Sequence, residues 1–148
     1  MPARRVDPGR VLAALNAQRA ALGAAPWGGP AEAGVLGAAC AAAVLAALDA
    51  GQQPQTEALR AAAAYLLGLL SERVPGRAVE VRVPPYAAVQ IGAGLRHTRG
   101  TPPNVVECPP EVFVAVASGR RRWADAVSVG VVRASGSRAD LEPYLPLL

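Results

Sequence analysis

A chain of 148 residues that is 52% hydrophobic but only 4% aromatic can form one core of ordinary size, built from alanine, valine and leucine rather than rings. Its formal charge of +4 comes from 15 basic residues, every one an arginine, against 11 acids. With the alanine, glycine and proline load this is the mark of GC-rich coding, so the charge is weak ground for a nucleic-acid partner, which would need a dense basic stripe with interleaved aromatics.

The one basic run, Arg120–Arg122, has a single ring beside it, Trp123, so no nucleic-acid partner is expected. Cys40 and Cys108 have no metal-ligand spacing, and one histidine is too few for a zinc site of the usual kind. Both read as buried, reduced thiols, and no cofactor is expected. The charge-free stretch Ala33–Leu48 is shorter than the ~20 residues of a spanning helix, so no stable membrane insertion is expected. It begins too far from Arg4 and Arg5 for a signal peptide, and the reading is a cytoplasmic protein.

After a basic tail, Asp7 and Pro8 are placed to cap and start a helix. Val11, Leu12, Leu15 and Leu22 give it an apolar face, and Gly23 ends it. Pro26–Pro30 (PWGGP) is a turn or linker. A second helix, about 31–48, is apolar nearly all round, which calls for burial or a covering partner; Gly34 and Gly37 weaken it or permit close packing. Thr56 caps a third helix faced by Leu59, Leu66, Leu67, Leu70 and Val74, and Pro75-Gly76 stops it. Residues 7–76 thus form a helical layer without a catalytic constellation.

The period then changes. Ala78–Val83 alternates strictly, with Val79, Val81 and Val83 on one side and Glu80 and Arg82 on the other, as in a half-buried strand. Tyr86–Ile91 is a second strand, Asn104–Glu107 a third, and Val131–Ala134 a last one. Between the last two, Pro109-Pro110-Glu111 opens a helix that buries Val112, Phe113, Val116 and Ala117. Gly119 ends it, and a short helix over residues 122–128 carries Trp123. Ser137–Asp140 starts a terminal turn or helix that Pro143 and Pro146 keep short or bent. The order predicts an α+β domain over residues 1–148, with the sheet and its helices in 77–148: one mostly antiparallel sheet of about five strands, N- and C-terminal helices covering one face.

Polar chemistry is densest in Leu95–Cys108 (LRHTRGTPPNVVEC), which holds the only histidine. Gly100, Pro102 and Pro103 make it a loop entering a strand. Arg96, His97 and Arg99 can converge on an anion there, because guanidinium groups match carboxylate or phosphate forks; the alternative is a solvated loop.

The run Val105–Leu148 resembles the sterol carrier protein 2 superfamily: a strand, a helix opening Glu111-Val112-Phe113, the Gly119 stop, a short helix at Trp123–Val129, Gly130, a strand, and Gly136 onward. More narrowly, VEVRVPPYAAVQ, RHTRGTPPNVVE, WADAV and RASGSRADLEPYLPL are similar to the actinobacterial sterol carrier family proteins, over about 79–148. Cys108 departs from that pattern where a polar helix cap is expected, and Pro143 and Pro146 shorten the tail that in sterol carriers helps close the lipid tunnel.

The resemblance implies a cavity between sheet and helices that binds or transports a lipid or other amphipathic small molecule without catalysis. Val89, Ile91, Phe113, Val116, Trp123, Leu141 and Leu145 are placed around it; packing against each other as core is the alternative for each. Arg96, His97, Arg99 and Asn104 would contact the ligand head group, a placement that rests on the residues and not on the family. Two other functions stand beside this one. A domain similar to this one joins a metal-binding helical bundle in the mycothiol-dependent maleylpyruvate isomerase family, so the chain could supply Arg or His to a partner enzyme's site; its own N-terminal helices lack the histidines for the metal. Or it is an interaction module that forms a homodimer through the apolar second helix.

Overall fold

The computed structural model describes residues 6–94 and 104–148. Among them are five α-helices and a four-stranded sheet. By its internal contacts the chain divides into two units, 1–65 and 66–148, the division falling inside the third helix.

The first unit is helical. α1 spans Pro8–Ala21, and the Asp7 carboxylate accepts a hydrogen bond from Gly9 N at 3.0 Å, with Pro8 in the first turn. Its buried stripe is Val11, Ala14, Leu15 and Gln18, an i, i+3, i+4, i+7 pattern. Gln18, a polar residue with no apolar signal, is fully buried: its Oε1 accepts the Gln55 backbone N–H at 2.7 Å, just ahead of α3, while its Nε2 is buried without a hydrogen-bond partner among the described residues. Trp27 N donates to Asn16 Oδ1 at 2.7 Å, the indole N–H donates to Pro30 O at 3.0 Å, and Arg19 lies 5.8 Å over the ring. These bonds fold the PWGGP turn back onto α1.

α2 spans Ala33–Asp49. Its larger side chains Leu36, Cys40, Val44 and Leu45 are buried, whereas the exposed positions of its middle, Ala42 and Ala46, carry only methyl groups. A helix apolar all round is thus accommodated without an exposed band of large side chains. α3 spans Thr56–Arg73, so Thr56 is its first residue rather than its cap.

Gly37 of α2 lies against Tyr65 of α3: a Cβ there would come within 2.5 Å of Tyr65 Cδ2 and 2.7 Å of Cγ, the rigid base of the ring. Gly37→Ala is therefore expected to destabilise the protein by about 1–2 kcal/mol, overpacking of about 1–3 kcal/mol being partly offset by the better helix propensity of alanine. A urea titration showing a midpoint equal to or above wild type would contradict this packing.

The second unit holds the sheet, in the order β2-β1-β3-β4 with β1 Val79–Val83, β2 Ala87–Ile91, β3 Val105–Glu107 and β4 Arg133–Ser135. β1 pairs antiparallel with β2 and parallel with β3, and β3 pairs antiparallel with β4. The sheet is therefore mixed and four-stranded, not mostly antiparallel with five strands. β2 occupies one side of β1, and β3 arrives on the other side running in the same direction as β1. No alternation pattern encodes that choice. The last strand also lies two residues later than expected, because the N–H groups of Val131 and Val132 both donate to Ala126 O, at 3.1 and 3.2 Å, and continue the turn off α5 instead of pairing.

α4 spans Pro110–Ala117 and α5 Trp123–Ser128. The chain ends in a 3₁₀ turn, Glu142–Tyr144, whose first N–H is capped by Asp140 at 3.0 Å, and the closing segment is clasped on two sides. Arg73 Nη1 donates to the carbonyls of Tyr144 (3.0 Å) and Pro146 (2.8 Å), and Leu147 N donates to Ala117 O at 2.7 Å.

Candidate functional site

Strand alternation and register give the sheet two chemically different faces. Val81, Val89 and Val106 stand in one row, with Val81 and Val106 fully buried. The next row, on the opposite face, reads Ala88, Arg82, Glu107, Arg133 across all four strands. Arg82 Nε donates to Glu80 at 2.6 Å. That bond, and more weakly the nearby Glu107 carboxylate, hold the Arg82 guanidinium further above its ordinary value. Glu107 and Arg133 are direct cross-strand partners of opposite charge, yet no ion pair joins them.

A cleft of about 320 Å³ opens at this end of the sheet. Pro84 after β1 and Cys108-Pro109 after β3 form one part of its wall, Gly130-Val131 ahead of β4 another, and Glu107 and Arg133 bring the charges. Cys108 is 2% exposed. Burial first, and the Glu107 charge second, push its thiol up to about 12; burial alone pushes Cys40 up to about 11. Each thiol keeps its proton in the folded protein where the unfolded chain begins to lose it. This contribution to stability is therefore complete below about pH 9 and is lost as pH rises toward 11 and 12. Native protein is expected to resist iodoacetamide at pH 8, while urea-unfolded protein takes up two labels; equal rates in both states would contradict the burial.

Of the residues singled out by sequence, Ile91, Phe113, Val116, Trp123 and Leu141 are buried and Val89 and Leu145 are half-buried; none lines this cleft. With Trp123 buried, the Arg120–Arg122 run has no exposed ring next to it. Arg96, His97 and Arg99 lie outside the described residues. Asn104, 9% exposed, ties three segments together: Nδ2 donates to Ala78 O at 3.3 Å, Oδ1 accepts Arg138 N at 3.0 Å, and its carbonyl accepts Glu80 N at 3.0 Å. The Arg138 guanidinium in turn donates to Ala93 O. Gly94 and Asn104, the two residues that flank the 95–103 segment, are thus both in contact with residue 138. Nothing in the sequence singles out Glu107 and Arg133, because a solvent-reaching charge in a short strand carries no signal until register sets it beside another.

Among the described residues no group of three or more His, Cys, Asp or Glu could hold a metal ion, and no helix is long and apolar enough to cross a membrane. The second unit defines a class: a small α+β domain on a mixed sheet, with aliphatic side chains on its buried face and charges on the other. The sequence model of the family described as bacterial SCP (sterol carrier protein) ortholog matches residues 55–147, and the chain belongs to this family. No curated protein matches it.

Proposed function

We propose that the protein is a non-enzymatic binder or carrier of an amphipathic, lipid-like molecule in the cytoplasm. The observation that carries this reading is the family match over 55–147, which spans the whole sheet and all the helices after α2. The chemistry of the buried sheet face is compatible with it. Val79, Val81, Val83, Ile91 and Val106 offer a wall of small aliphatic groups, against which an acyl chain gains ~0.8 kcal/mol per buried CH₂. In this proposal Ile91, Phe113, Val116, Trp123 and Leu141, with the half-buried Val89 and Leu145, separate to admit the chain. Arg96, His97 and Arg99 meet the head group in this reading, and Asn104 anchors the start of β3.

The test is native mass spectrometry of gently purified protein with lipid extraction of the same sample, followed by titration with a fluorescent fatty acid. A bound species of defined mass, or saturable displacement of the probe, is expected. Bare protein that fails to bind the probe would overturn the reading. Arg99→Ala is expected to weaken fatty acids and spare the matching fatty alcohols; equal loss for both would remove the head-group role.

A further inference from the structure

We infer that the cleft at the end of β1, β3 and β4 is a second binding site, distinct from the proposed lipid site, for a small zwitterion that carries an ammonium and a carboxylate on an apolar body. Three observations converge on it. Glu107 and Arg133 face each other in register on one side of the sheet, an arrangement in which opposite charges ordinarily bond across the strands. They make no ion pair, and both line the cleft. In register Glu107 has an arginine on each neighbouring strand, Arg82 on β1 and Arg133 on β4. The rest of the lining is Pro84, Pro109, Gly130, Val131 and the buried Cys108, uncharged residues suited to an aliphatic body.

A ligand that inserts its carboxylate at Arg133 and its ammonium at Glu107 restores the missing pairing through two charge-assisted contacts. The volume, about 320 Å³, lies at the small end for ligand sites, which fits an amino acid and not an acyl chain. Gly130 and Val131 connect α5 to β4, so occupancy is read at their backbone amides.

The experiment is an amide NMR titration of the full chain with L-leucine, 4-methylpentanoate (which lacks the amine) and isoamylamine (which lacks the carboxylate). Leucine is expected to give saturable shifts at Cys108, Gly130 and Val131, and each truncated analogue to bind about tenfold more weakly. Arg133→Ala and Glu107→Gln are each expected to weaken leucine about tenfold, Arg133→Ala leaving isoamylamine unchanged and Glu107→Gln leaving 4-methylpentanoate unchanged. Both side chains reach solvent, so both variants should fold, and both should bind a fluorescent fatty acid as wild type does. Absence of saturable shifts with leucine, or leucine shifts that survive both substitutions, would overturn the site.

Discussion

Truncating Phe113 to alanine is expected to lower stability by about 3–5 kcal/mol. Phe113 is the only phenylalanine in the chain, the largest fully buried side chain among the described residues, and 1% exposed. It sits on α4, whose other buried residues are Pro110, Val114, Val116 and Ala117. Removing a fully buried ring loses its transfer free energy and leaves a cavity that the surrounding structure fills only in part. Urea denaturation with an unchanged slope would measure it. The same variant decides how closely the proposed lipid wall is packed. A loss under about 1 kcal/mol would mean that the ring already borders empty space, as a ligand cavity requires. A full loss means that a ligand has to displace close-packed core.

Gly76→Ala is expected to cost about 3 kcal/mol or more, for a different reason. Gly76 has φ +141, a region that side chains other than hydrogen rarely occupy, and a Cβ there would run into the Gly92 carbonyl. That carbonyl cannot withdraw, since it accepts Ala78 N at 3.1 Å while Gly92 N donates to Val74 O at 3.0 Å. These bonds stitch the end of α3 to the β1–β2 pair, so the clash is of backbone against backbone. Gly68→Ala is the matched control. Gly68 lies within α3 with nothing within 4 Å of its Cβ position, and alanine there is expected to stabilise by about 0.5–1 kcal/mol. Thermal unfolding of the pair should move in opposite directions; a shared sign would refute the close approach at Gly76.

Much of the local structure was legible in the residues. Asp7-Pro8, Val11 and Leu15 of the buried stripe of α1, the Gly23 and Gly119 stops and the Pro110 start of α4 each act within one helical turn, so their effect is written in adjacent positions, whereas Leu12 and Leu22 of the expected face are only half-buried. The strict alternation of β1 likewise foretold which residues are buried: Val79, Val81 and Val83 inside, Glu80 and Arg82 half-exposed. The family was legible as well, through segments in the β1–β2 region and onward from Val105, and the match over 55–147 bears it out.

What stayed hidden depends on residues far apart in the chain. Nothing near Gln18 announces that a backbone N–H at Gln55 engages its buried side-chain oxygen. Nothing near Asn104 shows that Ala78 and Arg138 engage both ends of its side-chain amide. By itself the sequence determined where helices begin and end, which face of each strand is apolar, and that alanine-rich helices can be buried. Only the tertiary structure decided the parallel pairing of β1 with β3, the place of β4, and the juxtaposition of Glu107 with Arg133 at a cleft. The physical reason is range. Caps, turns and alternation are settled by contacts a few residues apart. Strand order and register are settled by which distant segment closes its hydrogen bonds and buries its apolar face, a choice that no local run of residues carries.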